Sequence, residues 1–162
     1  MVKRFKYYFI LSTLMKTLIV FYSKTGNTKK VGIEISKILN ADVDEIIDNK
    51  KRSGILGFIL GGRDALRKKP TTIQNQKDPS NYDLVVIGTP NWASTMVPAV
   101  RTYLTKYKLK KAAFYCTFGG NVGTCFKEME SLSSKPLATL ALKDKEVNNS
   151  LLKIKEFCLK LK

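Results

Sequence analysis

The chain has 162 residues, 44% of them hydrophobic, with 29 Lys and Arg against 13 Asp and Glu, for a formal charge of +16. That length carries one well-packed domain rather than two independent cores. Histidine is absent and the three cysteines form no CxxC pair, which excludes a His general base, a Ser–His–Asp triad and a conventional zinc site.

The charge fits acidic proteins, anionic ligands, nucleic acid, a membrane surface or simply a solvated basic face. No Arg-rich run or basic patch interleaved with aromatics stands out, so no nucleic-acid partner is expected. Odd, scattered cysteines suit a reducing cytoplasm. Residues 1–14 read as an N-terminal extension, in which Lys3, Arg4 and Lys6 precede an apolar run from Tyr7 to Leu14. The run is short, no small-residue cleavage site follows it, and it is far too short to cross a bilayer. A working start at Met15 is the preferred reading, a peripheral anchor is the alternative, and membrane association is not expected. The domain is placed at 15–162.

The first strand runs from Thr17 to Tyr22 and passes directly into Ser23-Lys24-Thr25-Gly26-Asn27-Thr28. A helix starts at once, near Asn27, with Val31, Ile35, Ile38 and Leu39 on one face. Ala41 to Ile47 alternates and is partly polar, which places a second strand near an edge. Asn49 to Ser80 holds Gly54, Gly57, Gly61 and Gly62 and reads as a glycine-weakened helix followed by a loop. Asp83 to Gly88 is a β-branched run expected of a central parallel strand. Helix three begins near Val97 with Pro98 in its first turn. Ala112 to Thr117 is the fourth strand, and Val122, Cys125, Phe126, Met129 and Leu132 face inward from helix four. Pro136 to Leu142 is the fifth strand. Leu151, Ile154, Cys158 and Leu161 share a face of the last helix.

Such alternation implies an α/β fold, with a parallel sheet covered by helices on both faces. Ligands in these sheets sit beyond the carboxyl ends of the strands. The loops Ser23–Thr28, Thr89–Ser94 and Phe118–Gly123 should therefore form the site. The first lacks both G-x-G-x-x-G and G-x-x-x-x-G-K-[ST]. Its hydroxyls, amide and helix N-terminal N–H groups suit a terminal monophosphate, although such turns also cap helices without any ligand. Trp92, the single tryptophan, is placed to stack on a planar ring or else to pack as a lid. The glycines of the third loop let backbone amides approach a ligand edge.

On Phe21-Tyr22-Ser23-Lys24-Thr25-Gly26-Asn27-Thr28, Asp83-Leu84-Val85-Val86-Ile87-Gly88-Thr89-Pro90-Asn91-Trp92 and Thr117-Phe118-Gly119-Gly120, the chain resembles the flavodoxin family from Lys16 onward. Gly61 to Pro70 is similar to the second-helix region of small flavodoxin-domain proteins. The resemblance implies a flavodoxin-like three-layer sandwich of the short-chain type, with a five-stranded parallel sheet in the order 2-1-3-4-5 and non-covalent FMN. It implies that Ser23, Lys24, Thr25, Gly26, Asn27 and Thr28 cradle the phosphate. Thr89, Pro90, Asn91, Trp92 and Ala93 would pack on the isoalloxazine ring, and Thr117, Phe118, Gly119, Gly120 and Asn121 would meet its pyrimidine edge.

A low-molecular-weight phosphatase needs an Arg six residues after its Cys; Val122 and Ser131 stand at that distance from Cys116 and Cys125. A receiver domain needs an Asp where Gly88-Thr89 ends the third strand. The family's usual surface is acidic, so this basic chain is expected to meet acidic redox proteins instead. A net positive charge about 8 Å from the ring favours added negative charge by roughly 0.5 kcal/mol in a water-like dielectric, and a less negative potential is expected. The functional expectation is an electron carrier with no acid–base residue and no metal. A flavin-dependent reductase of quinones or other small molecules is the alternative, and a binding module without flavin is the third reading.

Overall fold

The computed structural model describes residues 15–50 and 54–162, with the side chain of Phe58 left out. The extension at 1–14 lies outside the described residues. The elements in chain order are β1 (Thr17–Phe21), α1 (Asn27–Leu39), β2 (Asp42–Glu45), β3 (Ile47–Asp48), α2 (Gly54–Leu66), β4 (Ile73–Gln74), β5 (Leu84–Trp92), β6 (Thr95–Met96), α3 (Pro98–Lys106), β7 (Ala112–Phe118), α4 (Cys125–Leu132), β8 (Thr139–Lys143) and α5 (Leu151–Leu159). Short 3-10 turns lie at Pro79–Asn81 and Asp144–Asn149.

Strands β2-β1-β5-β7-β8 pair in that order, all parallel. Counting those five alone gives 2-1-3-4-5, the expected topology. β1 lies between two neighbours, with Ile19 opposite both Val43 and Val86. The central strands β1, β5 and β7 are largely apolar because each face of the sheet has its own core. Leu18, Val20, Val85, Ile87 and Phe114 join Val100, Leu104 and Met129 on one side. Ile19, Phe21, Val86 and Tyr115 meet Val31, Ile35, Ile154 and Phe157 on the other. Each such side chain, fully buried, contributes about 1.5–3 kcal/mol.

The structure departs from the expected elements in four places. β2 ends at Glu45, and Ile47–Asp48 instead pairs with Ile73–Gln74 in a separate ribbon. There the Asp44 carboxylate accepts the backbone N–H of Gln76 at 3.0 Å and of Lys77 at 2.8 Å, holding the return segment along the sheet edge. β5 continues past Gly88 to Trp92 and folds back on β6, so Thr89–Ser94 is a strand end and hairpin, not a loop. Ala93 and Ser94 form its tip at φ 51° and 65°, left-handed at both positions as a tight hairpin requires. The fifth strand starts at Thr139, later than expected. On α5, Leu151 is 48% exposed, and Phe157 occupies the inward position instead.

Candidate functional site

The carboxyl ends of β1, β5 and β7 bring three segments together. At the first, Gly26 precedes α1 with φ 95°, a left-handed conformation that glycine adopts without strain. This turn leaves the first N–H groups of α1 without helical acceptors. The Ser23 hydroxyl oxygen accepts the N–H of Lys29 at 3.1 Å, which leaves its own proton to donate. Thr25 and Gly26 are exposed. Asn27 donates its side-chain amide to Asp144 Oδ1 at 3.0 Å.

Thr28 points the other way. It is 1% exposed, and its hydroxyl pairs with that of Thr117 at 2.8 Å. The Tyr115 hydroxyl donates to the Thr28 carbonyl at 3.0 Å. The two threonines expected at the ligand thus tie the phosphate-type turn to β7, and only backbone remains for contact at Thr28. Burial pushes the Tyr115 phenol well above its ordinary pKa, so it stays a neutral donor.

The second segment is equally committed. Thr89 is fully buried; its hydroxyl donates to the Pro90 carbonyl at 2.8 Å and accepts the Val97 N–H at 3.3 Å. Pro90, Asn91 and Ala93 are partly or fully exposed. Trp92 is 6% exposed. Its ring meets Tyr22 edge-on at 5.8 Å, and the Lys24 ammonium lies 5.4 Å from its centroid. A Cβ on Gly61 of α2 would stand 2.7 Å from Trp92 Cζ3, so the helix backbone covers the ring. Stacking on a planar ligand therefore needs α2 to lift or Trp92 to turn, because the ring is already packed as a lid would be.

The third segment is locked to the second. The Asn91 side-chain amide donates to the Val122 carbonyl at 2.7 Å. The Ser94 hydroxyl donates to Asn121 Oδ1 at 3.0 Å, and the Thr124 N–H reaches the Ser94 carbonyl at 2.9 Å. Phe118 is half-buried, while Gly119, Gly120 and Asn121 are exposed. The sequence reading placed Ser94 in the second loop without a role and missed Asp144. Asp144 bonds Asn27 of the first segment and lies beside the third, 3.6 Å from where a Gly119 Cβ would be. It follows β8 in a 3-10 turn, and no motif spacing links it to the first turn.

Away from the strand ends, α3 and α4 are joined by an ion pair between Arg101 and Glu128. Lys68 approaches the same carboxylate at 3.8 Å. Burial pushes the Glu128 pKa up, but the hydrogen bonds from Arg101 and Thr124 and the nearby cations outweigh it, and the net displacement is downward.

No protein-family model and no curated protein sequence matches this chain. Solved structures do. A flavoprotein in complex with FMN from Lactobacillus acidophilus NCFM is 24% identical over 83% of this chain and 97% of its own, with a TM-score of 0.65. The apo-form of the flavoprotein from that organism is 25% identical over 83% and 95%, with a TM-score of 0.56. The two-electron reduced flavodoxin of Megasphaera elsdenii is 16% identical over 90% and 99%, with a TM-score of 0.54. The chain has the flavodoxin-like fold.

Proposed function

We propose that this chain, built on the flavodoxin-like fold, binds FMN without a covalent link and carries electrons between redox proteins in a reducing cytoplasm. The observation that carries this reading is the β1–α1 turn. Its helix N-terminal N–H groups, the Ser23 hydroxyl with its proton left to donate, and the exposed residue Thr25 lie together just past the carboxyl end of β1. That donor set is neutral, directional and dipolar, and it fits a phosphate monoester dianion. Gly119 and Gly120, exposed beside it, leave room for a ligand edge to approach backbone.

In this reading Ser23, Thr25, Gly26 and Asn27 hold the phosphate, with Thr28 contributing backbone. Asp144 accepts hydroxyls of the polyol chain between phosphate and ring. Pro90, Asn91 and Ala93 flank the ring, Trp92 reaches it once α2 lifts or its own ring turns, and Phe118 to Asn121 meet its far edge. FMN supplies the one- and two-electron chemistry when bound; the protein fixes its orientation and its electrostatic surroundings. No side chain needs to move a proton. Lys24 places positive charge beside Trp92, and the chain as a whole is basic, so the bound cofactor should have a less negative potential than in acidic flavodoxins, and its protein partners should be acidic.

The test is the visible spectrum and FMN titration of the purified protein. A yellow protein, or saturable FMN binding that Ser23→Ala and Thr25→Ala weaken, supports the reading. A protein that stays colourless in excess FMN refutes it. Spectroelectrochemistry then reads the potential, and an unusually negative value removes the electrostatic claim. Steady turnover of a quinone with a nicotinamide donor would place the protein among reductases instead of carriers.

A further inference from the structure

Ten large hydrophobic side chains are exposed among the described residues, and five of them lie on α2. At 100° per residue, Ile55, Leu56, Ile59 and Leu60 fall on the outer side of that helix. Their exposures are 82%, 74%, 60% and 38%. Gly57, Gly61, Asp64 and Ala65 are buried on the opposite side. The same outer arc then turns basic, with exposed Arg63 and Arg67, followed by exposed Lys68 and Lys69. The one acidic residue of α2, Asp64, points inward and binds the Lys50 ammonium at 2.8 Å.

We propose that the outer face of α2 docks on an anionic lipid surface. Branched aliphatic side chains at the front of the helix enter the headgroup boundary, and the arginines and lysines behind them reach lipid phosphates along their apolar stems. Charge complementarity selects this occupant. A second copy would set one strongly cationic face against another, whereas the cytoplasmic leaflet is negative and attracts each Lys or Arg near it. Docking through α2 does not rest on the FMN reading, although the inner side of α2 also covers the Trp92 ring. It runs against the expectation from the sequence that the chain does not associate with a membrane.

The experiment is vesicle flotation of the full chain at low and high salt. The vesicles are phosphatidylcholine, alone or carrying about one-third phosphatidylglycerol. The expected result is binding to the anionic vesicles that falls with salt, and at least about tenfold weaker binding without the anionic lipid. Ile55→Glu/Ile59→Glu should lower partitioning by at least about tenfold, with an unchanged circular dichroism spectrum and urea midpoint. Arg63→Gln/Arg67→Gln should lower it by about thirtyfold at low salt. Three outcomes overturn the proposal: no binding of the unaltered chain to anionic vesicles, equal binding by both variants, or a dimer in sedimentation that Ile55→Glu/Ile59→Glu converts to monomer.

Discussion

Replacing Thr28 and Thr117 by Val, singly and together, tests whether the phosphate-type turn is held to the sheet by one buried hydroxyl pair. The two oxygens lie 2.8 Å apart, at 1% and 2% residue exposure. Either single substitution keeps the β-branched shape but strands the other hydroxyl without a partner, at a cost of about 1–3 kcal/mol. Removing both hydroxyls leaves no orphan and is close to neutral by the same principle. The double variant should therefore recover at least about 1–2 kcal/mol relative to the sum of the singles, where independent sites would add within about 0.5 kcal/mol. The assay is urea denaturation of the cofactor-free chain. With a slope of about 2 kcal/mol/M, each single variant moves the midpoint down by roughly 0.5–1.5 M. Additive losses would refute the pairing. A second readout separates structure from binding. Because the Thr28 hydroxyl faces β7, Thr28→Val should change FMN affinity less than Ser23→Ala, and the reverse order would mean that the hydroxyl turns to the ligand.

Gly61→Ala forces a methyl to within 2.7 Å of Trp92 Cζ3 and 3.0 Å of Cε3. Overpacking of about 1–3 kcal/mol exceeds the roughly 1 kcal/mol gained in helix propensity, so a lower urea midpoint and a red-shifted emission from the single tryptophan are expected. An unshifted emission would show that α2 does not cover the ring. Glu128 titrates below its ordinary 4.5 in the folded state. Its contribution is therefore present above the unfolded value and is lost as pH falls through the folded one. Glu128→Gln should cost about 2–3 kcal/mol at neutral pH, less than a fully buried pair, and flatten the acid limb of the stability profile; an unchanged acid limb removes the assignment. The neighbouring Cys116 sulfur, then burial, push the Cys125 thiol up, and burial pushes Cys158 up to about 11. All three thiols are buried, so a disulfide reagent at mildly alkaline pH should modify none rapidly in the folded chain and all in urea. Fast labelling of any thiol in the folded chain would refute that burial.

The sequence alone specified what depends on local pattern. The continuous apolar runs Thr17–Phe21, Leu84–Gly88 and Ala112–Thr117 can be satisfied only by a sheet buried on both faces, so the parallel architecture followed from them. Val97-Pro98 set the start of α3, and the strand–turn–helix at Ser23–Thr28 marked a phosphate-type turn, because backbone polarity at a helix N-terminus is a local property. Tertiary structure decided where side chains with two plausible jobs went. Thr28, Thr89 and Thr117 look like ligand donors in the sequence, but burial demands a partner for each hydroxyl: the fold pairs Thr28 with Thr117 across 89 residues, and the hairpin after β5 turns Thr89 onto Pro90 and Val97. Trp92 could have offered an open face, yet Gly61, thirty-one residues earlier in the chain, lets α2 close over it. The Ala93-Ser94 tip carries no hairpin signature, since neither residue favours the left-handed conformation that β5–β6 pairing imposes. Asp144 entered the site only because β8 ends beside the first turn, a proximity that no spacing along the chain encodes.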